Sequence, residues 1–331
     1  MNRKNRFFIS VFTLAGLFLI FTIGCEEDAE RSFKLTTSSI TILSDSTALS
    51  GGSKIAGQNI ELDSLGLIWS TSSDPTLEDS VGKTTIKGGT SSFADTITGL
   101  SNNTKYYVKA YGIDSLDTPG NADIYYGDQV IFTSINQGDG VTDIDGNKYK
   151  TVIIGEQEWM AENLKTTKYN DGSDIVNVTK DKDWSNSSSG AYAWYNNDNK
   201  KGDKHGALYN WYAVETDKLC PDGWHVPSDD EWNKLIDYAG NNQNAAIALK
   251  SPDGWAEEEN GTNIYGFNAL PSGNRHYEGS YNTMGYDATW WTSGEHSSNE
   301  AFARFMKYYD NDVTSINYDK NYGFSVRCLK D

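Results

Sequence analysis

Turn-forming residues interrupt the apolar segments of this chain so often that most of it can fold only into short strands. The 331 residues include 31 Gly but only 6 Pro. Clusters of Gly, Ser, Asp and Asn separate short apolar runs from Ser32 to about Ser134, and again through the last third of the chain. Such runs between turn clusters are typical of β-strands. We therefore predict a mainly β protein with an α+β C-terminal domain.

The clearest strand in the first half is the segment KYYVKAYG. Tyr106, Val108 and Ala110 alternate there with more polar residues, and this period of two is typical of a half-buried strand. Leu100, shortly before Tyr106, makes the segment resemble the entry to the penultimate strand of a fibronectin type III sandwich, where a tyrosine hydroxyl closes a corner onto the backbone. The resemblance implies an immunoglobulin- or fibronectin-like β-sandwich over 32–134, to which we assign no chemistry.

The N-terminus predicts the compartment. Basic residues precede an uncharged apolar run that ends just before Cys25, which is the pattern of a secretory signal peptide over residues 1–24. A membrane-spanning helix is the alternative, because the apolar run is long enough to cross a bilayer. The sequence TIGC that ends at Cys25 resembles the lipobox of a bacterial lipoprotein, although its first residue is Thr instead of the usual Leu. We expect cleavage after residue 24 and a lipid anchor on Cys25.

The acidic segment 25–31 that follows is predicted to be a tether. Its EED run resembles the surface-export signal of some Gram-negative lipoproteins. We therefore expect an outer membrane lipoprotein on the cell surface, with a periplasm-facing position as the alternative. The net charge of −18 argues against nucleic acid as a partner, because phosphate-backbone binding needs basic clusters. The expected partners are the membrane, through the anchor at Cys25, and glycans or envelope proteins.

Two cysteines remain beyond the anchor, Cys220 and Cys328. In a chain that has crossed a membrane, an even number of cysteines predicts a disulfide. A metal-binding thiolate pair and a catalytic thiol are the alternatives, and the chain contains neither a CxxC nor an HExxH motif. In the closing segment NYGFSVRCLK, Phe324, Val326 and Cys328 share one face of a predicted strand, which points Cys328 toward the core.

The stretch CPDGWHVPSDDEW raises the question of catalysis, because it combines His225 with four acids. Ser228 and Glu231 have the spacing of a capping box. An apolar helical face begins at Trp232, and Gly240 stands where a glycine ends a helix. The three acids after Ser228 then lie in the first helical turn, where they complement the helix dipole. The acid of the Pro-Asp-Gly run is interpreted as a turn residue, and His225 as a packed, hydrogen-bonded residue. The stretch is predicted to be scaffold.

A linker is predicted at 135–141 and a second domain at 142–331. This domain opens with DIDGN, whose Asp-Gly and Asn indicate a tight turn before the strand KYKTVIIG. The pattern D-x-D-G also resembles part of an EF-hand calcium loop, but the other ligands are not at their positions. We predict a turn and no metal.

Motifs along the second domain resemble one family. They are the opening DGNKYKTVIIGEQEWMAENLKTTKYNDG and then LYNWYAV (208–214), LCPDGWHVPSDDEW (219–232), GFNALPSGNR (266–275), WWTSGE (290–295) and YGFSVRCLKD (322–331). Together they look like the Fibrobacter succinogenes major paralogous domain. Members are typically exported proteins, often lipoproteins, with immunoglobulin- or fibronectin-like modules upstream. Their biochemical role is largely undefined, so the resemblance implies a compartment more than an activity.

A more distant resemblance concerns the fold. HVPSDDEW and the terminal GFSVRC are similar to motifs of the formylglycine-generating, sulfatase-modifying family, which implies a C-type-lectin-like α+β fold. Those enzymes use two cysteines close together near the C-terminus. Only Cys328 is present in that region of this chain, so their activity is not carried over.

Aromatic and amide side chains in the loop-rich part of the second domain form the predicted ligand surface. These residues are Asn274, Arg275, Tyr277, Trp290, Trp291 and Glu295. Tryptophan rings stack on the apolar faces of sugars, while amides and acids bind hydroxyls. Because adjacent strand residues point to opposite faces, we expect one of the two tryptophans in the core and the other at the surface. The first interpretation is a non-catalytic binding or adhesion module for glycans.

Two other functions stay open. A structural or assembly protein of the cell envelope is the alternative, because aromatic-rich surfaces also bind proteins. An enzyme is the third possibility, but no G-x-S-x-G, P-loop, GxGxxG or HExxH motif is present. The acidic run 257–259 has the chemistry of a glycosidase pair, although three consecutive acids are typical of a solvated loop. We predict no catalytic residue and no cofactor.

Overall fold

The computed structural model describes residues 33–57, 62–88, 91–115, 122–241 and 243–331. The predicted signal peptide, the predicted lipidation site Cys25 and the predicted tether lie outside these residues. Within them, no helix has the length and apolar character needed to cross a membrane.

Two antiparallel sheets form the first part of the chain. Their strands are β1 (Phe33–Thr37), β2 (Thr41–Ile42), β3 (Thr47–Gly57), β4 (Ser64–Ser70), β5 (Gly82–Lys83), β6 (Ile86–Lys87), β7 (Ser92–Thr98), β8 (Lys105–Ser115), β9 (Ala122–Tyr126) and β10 (Val130–Thr133). In the first sheet, β3 pairs with β1, β2 and β7. In the second, β8 pairs with β4, β9 and β10, and β5 and β6 extend β4. Buried apolar residues of both sheets belong to one cluster.

The alternation predicted for β8 is confirmed. Tyr106, Val108 and Ala110 are buried on one face of the strand. The Tyr106 hydroxyl accepts a hydrogen bond from the backbone N–H of Ser101 at 2.9 Å, and its ring stacks on Phe132 with centroids 5.7 Å apart. The tyrosine therefore ties the preceding loop to the start of β8, as the sequence predicted.

The second part of the chain consists of short strands and short helices. The strands are β11 (Val141–Thr142), β12 (Lys148–Tyr149), β13 (Thr151–Ile154), β14 (Gln157–Met160), β15 (Val176–Asn177), β16 (Ala191–Ala193), β17 (Leu208–Tyr209), β18 (Trp224–His225), β19 (Asn274–Arg275), β20 (Tyr281–Asn282), β21 (Asp287–Glu295), β22 (Glu300–Lys307), β23 (Thr314–Asp319) and β24 (Leu329–Lys330). The helices are α1 (Asp181–Ser185), α2 (Asn199–His205), α3 (Trp211–Val214), α4 (Asp229–Tyr238) and α5 (Ala245–Leu249). The larger sheets have the orders β13-β14-β24-β18, β15-β16-β17 and β21-β22-β23. The protein is thus mainly β with several antiparallel sheets, as predicted.

The helix predicted from the capping box is confirmed as α4. Ser228 and Glu231 each bond the backbone of the other, so both halves of the box are present. Trp232 and Leu235 are fully buried on the core face. Gly240 follows the helix with φ of 125°, a conformation that favours glycine. Local capping chemistry therefore sets both ends of this helix.

Strand β21 lies between two hydrophobic clusters. Trp290 belongs to one and Trp291 to the other, and both side chains are 0% exposed. The Trp290 ring lies 5.7 Å from that of Trp232, and the Trp291 ring lies 4.5 Å from that of Phe324. The expectation that one of the two tryptophans lies at the surface is therefore wrong, because the strand is covered on both faces.

The closing segment of the chain is also buried on both faces. Phe324, Val326 and Cys328 share the apolar face, as predicted, while Ser325 and Arg327 point to the other side and are each 1% exposed. A regular strand forms only at β24, since the residues before it make isolated bridges. This segment therefore runs through the interior with one apolar and one polar face.

The predicted disulfide is confirmed between Cys220 and Cys328. Their Cα atoms are 5.9 Å apart, and 108 positions separate the two residues along the chain. The bond joins the loop ahead of β18 to the closing segment. Chain-entropy arguments give a cross-link of a loop of about 100 residues a stabilisation of ~4–5 kcal/mol.

A buried polar network centred on Asn163 lies on the face of the closing segment that points away from the disulfide. Asn163 Oδ1 accepts hydrogen bonds from Trp290 Nε1 at 2.9 Å and from Arg327 Nε and Nη2 at 3.2 and 2.8 Å. Its Nδ2 group donates to three acceptors: the His205 carbonyl at 2.9 Å, the Ser272 hydroxyl at 3.0 Å and the Ser325 hydroxyl at 3.2 Å. One amide thus connects five separate segments of the chain.

Arg327 has no carboxylate within ion-pair distance among the described residues. Its Nη1 donates to the Phe267 carbonyl, and the guanidinium lies 4.2 Å from the Phe267 ring centroid. Burial lowers the pKa of Arg327 to about 9, although the charge of Glu162 opposes this shift. Carbonyl oxygens, an aromatic face and the Asn163 amide therefore replace water around the cation.

Residues 135–141, predicted to be the linker, begin at a packed junction. Ile135 is 7% exposed, and a Cβ on Gly266 would lie 2.8 Å from its Cδ1. Close by, the backbone N–H of Ile42 donates to the Thr262 carbonyl at 2.8 Å. The two parts of the chain therefore share both apolar and main-chain contacts.

We expect Asn163→Ala to lower the free energy of unfolding by at least about 3 kcal/mol, because it leaves a buried guanidinium and a buried indole N–H without their acceptor. Urea unfolding followed by tryptophan fluorescence measures this change. The matched control is Asn299→Ala at an exposed position, where a change within about 0.5 kcal/mol is expected. Equal effects of the two substitutions would contradict the central role of Asn163.

Candidate functional site

Three of the six predicted ligand residues are fully buried. Arg275, Trp290 and Trp291 each have 0% exposed area, so no ligand can touch them in this conformation. Their polar atoms have internal partners: Trp291 Nε1, for example, donates to the Tyr209 carbonyl at 2.8 Å. We therefore remove these three residues from the candidate surface.

Arg275 is held between two aromatic rings. Its guanidinium lies 4.4 Å from the Trp184 ring centroid and 4.8 Å from that of Tyr281. Nε donates to the Gly279 carbonyl at 2.8 Å, and Nη2 lies 3.4 Å from the Asp181 carboxylate. Burial lowers the pKa of Arg275, while Tyr281 and Asp181 oppose that shift. The residue fixes the β19–β20 hairpin against α1.

The other three predicted residues make no contact with one another among those that the structure records. The Asn274 amide donates to the Thr283 hydroxyl at 2.9 Å. The exposed Glu295 carboxylate lies 2.5 Å from Nζ of the buried Lys320. Tyr277 is 41% exposed, and it makes neither of these contacts. Of the six, Tyr277 is therefore the residue best placed to meet a ligand.

Tyr277 belongs to a partly exposed group that we call the tyrosine cluster: His276, Tyr277, Tyr318 and Tyr322. The Tyr277 ring lies 4.2 Å from that of His276 and 5.6 Å from that of Tyr322, which in turn lies 4.9 Å from Tyr318. Burial, and then the neighbouring Tyr318, raise the pKa of Tyr322. The rings are inclined to one another by 35–73°, so they form no continuous flat platform.

A second aromatic surface was not predicted from the sequence. All ten tryptophans lie in the described residues, and only Trp194 and Trp224 among them are not buried. Trp194 lines a groove of about 420 Å³, the Trp194 groove, together with Asp145, Asn147, Lys165, Thr167, Asn199, Lys200, Gly202 and Asp203. This volume falls within the range of about 300–1,000 Å³ that is usual for small-ligand sites.

The DIDGN turn forms one wall of this groove. Asp143 accepts hydrogen bonds from the backbone and side-chain N–H groups of Asn147 at 2.9 and 2.8 Å. Asp145 accepts from the Thr167 N–H at 2.6 Å and from its hydroxyl at 2.9 Å. These bonds confirm the predicted turn and orient Asn147 and Asp145. Among the described residues, no group of three or more His, Cys, Asp or Glu side chains is arranged to hold a metal ion.

Helix α2 forms the opposite wall and holds the tryptophan. Asp198 caps the helix by accepting from the Lys200 N–H at 3.1 Å. A Cβ on Gly202 would lie 2.4 Å from the Trp194 ring, so only glycine allows this approach. Glycine inside a helix costs about 1 kcal/mol relative to alanine, and the ring contact explains its presence. Tyr192 contacts the ring as well, in a T-shaped pair with centroids 5.3 Å apart.

Three side chains of the groove have no internal partner. Within the described part of the chain, the side chains of Asn199, Lys200 and Asp203 make no hydrogen bond or ion pair with another side chain, and all three are exposed. A fixed indole ring is thus surrounded by free amide, ammonium and carboxylate groups. This combination suits a polyol, whose ring stacks on the indole and whose hydroxyls meet the polar groups.

The sequence carries a signal for this groove. Trp194 and Tyr195 are followed by the polar run NNDNKKGDKHG, with a glycine in the middle of a helix. The tryptophan therefore stands where an apolar segment ends and a long polar one begins, a position from which a ring can reach the surface.

His225 in the stretch CPDGWHVPSDDEW is a hydrogen-bonded scaffold residue, as predicted. Its Nδ1 lies 2.7 Å from the Asp331 carboxylate, and its Nε2 lies 3.1 Å from Glu231. Burial lowers the pKa of His225, but the Asp331 hydrogen bond and the Glu231 charge outweigh it, so the net shift is upward. The imidazole therefore connects the start of α4 to the C-terminal segment.

This upward shift predicts a pH-dependent stability. Because the folded pKa exceeds the unfolded value of about 6.5, His225 stabilises the fold fully below that value and loses its effect as pH rises through the folded pKa. The difference in unfolding free energy between the wild type and His225→Gln should be larger at pH 5.5 than at pH 8.5. Urea titrations across this range measure it, and a constant difference would contradict the assignment.

Comparison with known proteins agrees with the motifs. No curated protein matches the chain, and no solved structure matches it. The model of the Fibrobacter succinogenes major domain matches residues 152–330, which is more than half of the chain and includes α2, α4, the disulfide and most of the Trp194 groove. The chain therefore belongs to the Fibrobacter succinogenes major domain family.

Proposed function

We propose that this protein is an exported, surface-exposed lipoprotein that binds glycans through the Trp194 groove without catalysing a reaction. The observation that carries the proposal is the half-buried indole of Trp194. Gly202 fixes this ring in a groove where the side chains of Asn199, Lys200 and Asp203 have no partner among the described residues. Most other tryptophans of the chain are packed in the core and cannot take this role.

The groove supplies both parts of sugar recognition. The indole offers an apolar face to the C–H groups of a pyranose ring. Asn147 and Asn199 provide amide donors and acceptors, and Asp203 accepts from hydroxyls. Because Gly202 and Tyr192 already fix the ring, binding loses little side-chain entropy.

The proposed export and anchoring rest on the sequence. Residues 1–24 have the pattern of a signal peptide, and Cys25 follows a lipobox-like motif. The family of the second domain supports the same compartment. We propose an outer membrane location with the two domains at the cell surface, the membrane as partner through Cys25, and no nucleic acid partner.

Two finer fold assignments belong to the same proposal. The two packed antiparallel sheets and the hydrogen bond of the Tyr106 hydroxyl support a fibronectin-like sandwich as the first domain. The short sheets and short helices of the second part support a C-type-lectin-like arrangement. In such a protein the first domain would space the binding domain from the anchor.

The proposal treats the protein as non-catalytic. The acidic run 257–259, the best candidate for a glycosidase pair, is exposed to solvent on a turn. The lining of the Trp194 groove contains no His, Ser or Cys side chain. The one hydroxyl of the lining, on Thr167, donates to the Asp145 carboxylate at 2.9 Å and fixes the turn.

A second candidate function, binding to an envelope protein, is favoured by a different surface. Tyr286 and Tyr309 are 50% and 62% exposed, and both rings lie about 5 Å from that of Tyr308. Exposed tyrosine groups are enriched at protein interfaces. A substitution in this patch would then affect partner capture and leave sugar binding unchanged.

We expect Trp194→Ala to weaken binding of the purified protein to its best ligand on a polysaccharide array by about tenfold or more, which corresponds to at least ~1.4 kcal/mol of lost stacking. Isothermal titration calorimetry measures the loss. Trp224→Ala, at the other tryptophan that is not buried, is the matched control and should bind like the wild type.

Tyr277→Ala separates the two aromatic surfaces. Unchanged binding in this variant places the ligand in the Trp194 groove, whereas a loss here with normal binding by Trp194→Ala would move the site to the tyrosine cluster. Absence of binding by the folded wild-type protein to any sugar would exclude the glycan function for the sugars tested.

The anchor is tested separately. We expect the protein to incorporate labelled palmitate in bacterial cells and to fractionate with membranes, because acyl chains on Cys25 hold it there. Cys25→Ser should abolish both the label and the membrane association. A label that survives this substitution would contradict Cys25 as the lipidation site.

A further inference from the structure

We infer that the Trp194 groove selects an uncharged polysaccharide and that Asp203, with Asp145, excludes acidic ones. This inference rests on the proposed function and narrows its ligand class. It follows from the charged side chains that line the groove and from the hydrogen bonds that these side chains make within the protein.

The groove contains equal numbers of opposite charges. Lys165 and Lys200 balance Asp145 and Asp203, in a chain whose net charge is −18. A polyanion would therefore approach a strongly negative protein and meet a site with no excess of positive charge. Binding of polyanions is driven by local positive charge, so the groove lacks the main source of affinity for them.

Neither lysine is held by a hydrogen bond or an ion pair that would fix it toward a ligand carboxylate, as far as the described residues go. Lys165 Nζ lies 6.0 Å from the centroid of the Tyr149 ring, over its face, and Lys200 is exposed at the start of α2. No arginine lines the groove, so the bidentate fork that suits a carboxylate or sulfate is missing from it.

The two acids favour hydroxyls over anions. Asp145 already accepts two hydrogen bonds from Thr167, so its orientation is fixed. Asp203 has no partner among the described residues, and both of its oxygens are free to accept from vicinal hydroxyls. A uronate or sulfate in the same place would bring two negative charges together, which is repulsive. Asp203 is thus the residue that we assign to specificity.

Titration calorimetry of the purified protein can test this with β-glucan, xyloglucan and mannan as neutral probes and polygalacturonate as the acidic probe, at 50 and 500 mM NaCl. We expect at least one neutral polysaccharide to bind, with an affinity that changes less than twofold with salt. We expect no binding of polygalacturonate, because screening by salt only removes long-range repulsion and creates no contact.

Asp203→Lys should change this preference. The variant is expected to bind polygalacturonate at 50 mM NaCl with an affinity at least tenfold above the detection limit that the wild type does not reach, and to lose most of that affinity at 500 mM. The control is Asp237→Lys, which changes the net charge equally at an exposed position on α4 and should show no gain. Equal gains in both variants, or no gain in Asp203→Lys, would overturn the role of Asp203.

Two other outcomes are distinguishable. If the wild type binds polygalacturonate more tightly than every neutral probe, and Trp194→Ala loses that binding, the proposed function stands and the inference is overturned. If the folded wild type binds none of the four polysaccharides, both the inference and the glycan function are overturned for these sugars.

Discussion

The second domain depends on one buried amide. Asn163 accepts from both a buried guanidinium and a buried indole and donates to acceptors on three segments, one of which also carries the guanidinium. A domain of short strands has few long sheets to hold distant segments together, so this connection replaces part of what a continuous sheet would supply. Because Arg327 has no carboxylate partner among the described residues, its charge is tolerated only while Asn163 and the nearby carbonyls surround it.

The closing segment combines this polar network with the disulfide. One face presents Ser325 and Arg327 to Asn163, and the other presents Cys328 to Cys220. The segment therefore separates two hydrophobic clusters and is anchored on both sides. Strand β21 lies beside it and is buried for the same reason, which explains why Trp290 and Trp291 are structural.

This division of the core moves the proposed binding surface to the periphery. Trp194 lies between the DIDGN turn, which hydrogen bonds within the turn and from Thr167 hold in place, and α2, which Asp198 caps. Such elements keep a side chain in place without covering it. Gly202 also keeps the Trp194 ring in place, because the absence of a side chain allows a close contact with the ring. This contact comes with a lower helix propensity at that position. The site is therefore fixed by its surroundings while its polar groups remain free.

The sequence by itself determined the features that depend on local chemistry or on the number of cysteines. The capping box defined α4, the Asp-Gly turn defined DIDGN, the alternation around Tyr106 defined β8, and two cysteines in a chain predicted to be exported defined the disulfide. The ordered motifs identified the family. Tertiary structure alone decided which aromatic residues are exposed, because burial of Trp290, Trp291 and Arg275 depends on segments that approach from both sides of a strand. Period-two alternation describes one strand and carries no information on what covers its second face.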